Sequence, residues 1–96
     1  MGSNTNRLSI RPAQEKDAEL ILSFIRELAV YETMEDQITA TAEDLRRSIF
    51  EKRQSEVIIG WIDHQPAAFA LYFYNFSTFL GKANLFLDDL YVKEEF

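Results

Sequence analysis

The chain has no cysteine, so it cannot form a disulfide, a thiolate metal centre or a cysteine nucleophile. A cysteine-free chain suits a reducing compartment, and a cytoplasmic location is expected. There is a single histidine, His64, where zinc sites normally draw on several His or Cys ligands, so no metal is expected. Nor is there a nucleophile elbow, or a histidine placed to activate a scattered serine or threonine. Three glycines and two prolines exclude collagen and low-complexity linker material. Because the glycines are unclustered, they build no phosphate-cradling loop within these residues. No apolar run approaches the ~20 residues of a membrane span. Met1–Asn6 lacks the apolar stretch of a signal peptide.

What is present is a chain of 96 residues, 47% hydrophobic and 14% aromatic, enough for one domain with one small core. Ten Lys and Arg against 16 Asp and Glu give a net charge of −6. That balance disfavours nucleic acid and anionic membranes as partners and permits a cationic one.

Leu8–Pro12 alternates apolar and polar residues and predicts a short strand ended by proline. Across Glu15–Glu32 the period changes. Leu20, Ile21, Phe24, Ile25, Leu28 and Tyr31 form an apolar stripe at helical spacing, with Lys16, Glu19, Arg26 and Glu27 off it. Thr33–Thr39 reads as a polar loop. Thr41, followed three residues later by Asp44, signals a capping box at the start of a second helix, with Leu45 and Ile49 on its apolar face and its end between Lys52 and Ser55.

Glu56–Ile62, Ala67–Phe76 and Asn84–Val92 are rich in β-branched and aromatic residues and predict three strands. The first two are joined by a turn at Asp63–Pro66 as an antiparallel hairpin, and Ser77–Lys82 is a longer connection. The order β-α-α-β-β-β implies an α+β fold with helices against a mostly antiparallel sheet. The aromatic run Phe69, Tyr72, Phe73, Tyr74 and Phe76 is expected to be core rather than a ligand platform. A sheet this apolar needs cover on its second face, from further sequence or from a partner chain.

Asp88 and Asp89 interrupt the apolar strand Leu85–Val92. In a regular strand they point to opposite faces unless a bulge re-aims one. At least one then meets apolar neighbours, and burying an ionised carboxylate costs several kcal/mol unless it is paired or protonated. The pair is either a cation site or general base, or the solvated end of a strand. Glu32, Glu35 and Asp36 form a second acidic group beside Tyr31. It either joins Asp88 and Asp89 in one cation-attracting pocket or belongs to an ordinary solvated loop. His64, in a turn without polar companions, is not expected to be catalytic.

Several of these segments resemble the GNAT superfamily of acetyl-CoA-dependent N-acetyltransferases. They are Ile10-Arg11-Pro12-Ala13 followed by Asp17, the segment Arg26–Gln37, Ala68–Phe73, Phe79–Lys82 and Leu87–Val92. The likeness is greatest to the diamine (spermidine/spermine) N-acetyltransferase group and extends from about Leu8 to Phe96. It implies a GNAT-like N-terminal half, truncated before the acetyl-CoA pyrophosphate loop. Residues 7–96 would be the N-terminal part of a single acetyltransferase domain, and residues 1–6 a disordered or cloning-derived N-terminus.

The resemblance further implies that Tyr31, Glu32, Asp88 and Asp89 bind a small cationic, polyamine-like amine. Asp88, where the group more often has Glu, would help deprotonate it through water. Leu90, Tyr91 and Val92 would offer backbone groups to the pantetheine arm of acetyl-CoA, the co-substrate. A homodimer, or completion by a missing C-terminal half, is implied, and the 96 residues alone are expected not to turn over acetyl-CoA. The alternatives are the same fold acetylating an amino-acid-like amine or a protein N-terminus, and a non-catalytic acidic module binding a basic partner.

Overall fold

The computed structural model describes residues 7–96. Residues 1–6, expected to be a disordered or cloning-derived N-terminus, lie outside the described residues. The strands are β1 (Leu8–Pro12), β2 (Glu56–Ile62), β3 (Gln65–Ser77) and β4 (Lys82–Val92), and all three pairings between neighbours are antiparallel. They lie in the order β1-β2-β3-β4, which leaves β1 and β4 as the sheet edges. Helix α1 spans Ala18–Tyr31, and α2 begins at Ala42–Leu45 and widens into a π-helical turn over Arg46–Glu51. The α+β arrangement expected from the sequence is the arrangement found.

The local reasons are legible residue by residue. Asp44 N–H donates to Thr41 Oγ1 at 3.1 Å while Thr41 N–H donates to Asp44 Oδ2 at 3.0 Å, the reciprocal cap that the spacing predicts. Arg46 then ties the helical layer together, its guanidinium reaching Glu15 and Glu43 at 2.6 Å and also pairing with Glu51. One core joins the layers: Ile21 and Phe24 of α1, Ile49, Val57 and Ile59 of β2, and Phe69 and Leu71 of β3. The Phe24 and Phe69 rings stack with centroids 5.1 Å apart.

The β2–β3 turn is tighter than the sequence suggests. Only Asp63 and His64 lie outside the strands, with φ of 51° and 70°, the left-handed pair of a type I′ hairpin. Gln65 and Pro66 belong to β3. The Asp63 side chain accepts the Arg7 N–H at 3.0 Å, which fastens the turn to the start of β1.

The aromatic run is not all core. Phe69 is buried, Tyr72 and Phe73 are half-buried, and Tyr74 and Phe76 are exposed. The cause is the length of the β3–β4 hairpin, whose outer part extends past the helices. Tyr72, Tyr74 and Phe76 also alternate onto the face opposite the core. On that face Leu8, Ile10, Leu85, Leu87, Leu90 and Val92 are each more than half exposed. Leu8, Ile10, Ile58, Gly60, Ala68, Ala70 and Leu90 border a shallow apolar groove there of about 160 Å³. Among the described residues nothing covers this second sheet face, which the apolar sequence is expected to need covered.

Candidate functional site

The last turn of α1 delivers Tyr31 and Glu32 to one end of the molecule. Its geometry is a Schellman stop: Met34 N–H bonds Ala29 O at 2.7 Å and Thr33 N–H bonds Val30 O at 3.0 Å. Thr33 occupies the left-handed position, φ 55°, that such stops usually give to glycine. Glu32 is the C-cap residue, so its carboxylate stands at the negative end of the helix dipole. Both Tyr31 and Glu32 are exposed.

β4 passes beside this helix end, and its register breaks at the acidic pair. Asp89 stands opposite Leu71 and Leu87 opposite Tyr72, which leaves Asp88 as an extra, unpaired residue. This is a β-bulge, the device that re-aims a side chain on an otherwise regular strand. Asp89 shares the helix-covered face with Leu71 and is half-buried, whereas Asp88 is exposed. Burial pushes the Asp89 carboxyl above its ordinary range, and the charges of Asp88 and Glu32 push it further in the same direction. Glu32, Asp88 and Asp89 thus share one electrostatic neighbourhood. Asp36 is exposed on the following loop.

Tyr31 meets a different part of the same strand. With Leu28, Leu90, Tyr91, Val92 and Glu94 it lines a cavity of about 330 Å³. The acids do not line that cavity. They adjoin it, since Glu32 follows Tyr31 and Asp89 precedes Leu90 in the chain. β4 is an edge strand, and Lys93 N–H donates to Ala67 O at 2.9 Å. Antiparallel alternation then directs the backbone groups of Tyr91 toward β3 and those of Leu90 and Val92 outward. Of Leu90, Tyr91 and Val92, Tyr91 therefore turns its backbone groups to β3, and it also lines the cavity. That phenol titrates above its usual range, first through burial and then through the charge of nearby Glu27.

Glu27 and Lys93 were not singled out by the sequence as site residues. The one available signal was spacing. Glu27 lies three residues after core-facing Phe24 and four before exposed Tyr31, which by spacing alone marks it only as a residue off the apolar stripe. His64 stands in the hairpin turn between β2 and β3, outside this cluster. Among the described residues no group of three or more His, Asp or Glu could hold a metal ion, and no helix is long and apolar enough to cross a membrane.

No protein-family model matches the chain. Among curated proteins, it is 38% identical over 79 residues to a thialysine N-epsilon-acetyltransferase of Caenorhabditis elegans, a match covering 82% of this chain and 48% of that protein. It is 33% identical over 95 residues to a human spermidine/spermine N(1)-acetyltransferase-like protein 1, covering 91% of this chain and 14% of that one. The chain thus spans about half the length of the nematode relative. Among solved structures, a "predicted acetyltransferase with acetyl-CoA" from Clostridium acetobutylicum superposes with a TM-score of 0.73 at 19% identity, over 93% of this chain and 62% of that one. That last likeness is one of fold.

Proposed function

We propose that this chain, a relative of the diamine acetyltransferase group carrying the first part of a GNAT fold, serves a complete protein that moves an acetyl group from acetyl-CoA to a primary amine of a small cationic substrate. One observation carries the reading: Asp88 is released from strand pairing at a bulge, beside half-buried Asp89 and the Glu32 carboxylate. Three acids at the negative end of a helix draw in an ammonium and hold it. The ammonium must lose a proton before its nitrogen lone pair can attack, and Asp88 takes that proton up through water. Acetyl-CoA, when bound, supplies the acetyl group as a thioester. The outward amides and carbonyls of Leu90 and Val92 suit the amide-bearing arm of such a donor, in the manner of strand addition. Tyr31 walls the cavity beside them.

Two substrate classes follow from this site. The acid cluster favours a polyamine, with two or more positive charges. The thialysine name of the nematode relative favours a lysine-like amine. A panel of monoamines, diamines, triamines, lysine and thialysine, assayed with acetyl-CoA and the complete protein, separates them by which amine is acetylated fastest. Acetylation of amines carrying a second positive charge, well above that of monoamines, supports the reading. Equal rates across the panel, or no transfer, contradict it.

A further inference from the structure

Glu27 plays no part in the amine site described above. It stands one turn before the end of α1, and its carboxylate faces the two residues that flank Val92. Tyr91 Oη donates toward Glu27 Oε1 at 3.5 Å, and Lys93 Nζ lies 3.5 Å from Oε2. Both neighbours are also packed on the same helix. The Tyr91 ring meets Phe24 edge-on with centroids 6.5 Å apart, and the Lys93 ammonium lies 5.6 Å from the centre of the Phe24 ring. The Lys93 side chain is 22% exposed and that of Glu27 39%, so the contact is partly shielded from water.

The backbone makes the arrangement directional. Residues 91 and 93 bond to β3 through their main chain and to α1 through their side chains. Val92, between them, is left with its N–H and C=O facing outward. A strand edge that is already straight and ordered receives another chain more readily, because ordering residues during binding costs conformational entropy.

We infer that Glu27 is a positioning residue for the acyl donor: by clasping Tyr91 and Lys93 to α1, it holds the outward edge of Leu90 and Val92 in the form that accepts the donor's amide-bearing arm. The inference rests on the acetyl-transfer reading and adds to it the residue that shapes the donor edge.

The test uses the complete protein, with Glu27→Lys, Lys93→Glu and both together. Each single charge reversal raises KM for acetyl-CoA about three- to tenfold, while kcat at saturating donor stays within about twofold. The double variant, with the pair restored in reverse, returns KM to within about twofold of the unchanged protein. In Glu27→Gln, which keeps the shape but loses the charge, amide hydrogen exchange at Tyr91 and Lys93, whose N–H groups face β3, speeds up relative to the rest of β4. Unchanged KM in both singles, or a double variant no better than either single, overturns the inference while acetyl transfer itself persists. Absence of transfer by the unchanged protein is a different result, which removes the acetyl-transfer reading and this inference with it.

Discussion

Asp89 on the last strand and Glu32 at the end of the first long helix lie close enough for the charge of one to hinder ionisation of the other. The two are far apart in sequence. They meet because α1 stops abruptly at Glu32 and β4 runs past that end, with the bulge at Asp88 inserted there. The acidic site is therefore a product of tertiary packing, assembled at a helix end and a strand irregularity.

One consequence concerns stability. The Asp89 carboxyl has its pKa raised in the folded chain, chiefly by burial. A raised carboxylate pKa means that folding is favoured while the group is protonated, below its unfolded pKa near 3.8, and loses that contribution as pH rises through the folded value. Asp89→Asn should therefore raise the unfolding temperature at pH 7, and the gain should shrink toward zero near pH 3. Thermal unfolding followed by circular dichroism across that range checks it. A gain over the unchanged chain no larger at pH 7 than at pH 3 counts against the burial and charge assigned to Asp89.

The outward direction of Val92 is open to a backbone test. Proline at that position removes an N–H that faces away from β3, so the sheet should survive while KM for acetyl-CoA in the complete protein rises about tenfold. Tyr91→Pro instead removes a donor directed at β3, together with the phenol packed on Phe24. It should cost about 2–3 kcal/mol of stability. Urea unfolding and donor-dependent kinetics on the two variants distinguish them, and equal damage from both would mean the alternation is misassigned.

The hairpin turn offers a gain in stability. His64 holds a φ of 70°, where a residue with a Cβ is strained and glycine is not. Asp-Gly is also a favoured sequence for this turn type. His64→Gly should stabilise the chain by about 1 kcal/mol, or raise its melting temperature by roughly 4–8 °C. A loss of stability would show that the imidazole makes contacts outweighing the strain.

How much of this was legible in the sequence depends on how local each cause is. Helix α1 was readable because Ile21, Phe24 and their neighbours repeat at the helical period. The cap on α2 was readable because Thr41 and Asp44 satisfy each other within one turn. Asp88 and Asp89 stood out as acids in an apolar strand. Which of them leaves the ladder could not be read, since that depends on where Leu71 and Tyr72 of β3 settle opposite them. Tyr74 and Phe76 look like core residues by type, but their burial depends on what lies above the sheet, which no local pattern encodes. The role of Glu27 is hidden in the sequence for the same reason. On a helical wheel it is one more surface acid, and only the arrival of Tyr91 and Lys93 from β4 distinguishes it.

Whether Asp88 handles the proton of the amine is tested by acetyl transfer in the complete protein carrying Asp88→Asn. Asparagine keeps the size and the bulge but cannot take up a proton. The expected result is a fall in kcat/KM for the amine of about 100-fold or more near neutral pH, partly recovered at high pH where the amine deprotonates unaided, with KM for acetyl-CoA unchanged. Transfer within about twofold of the unchanged protein across that pH range would contradict it.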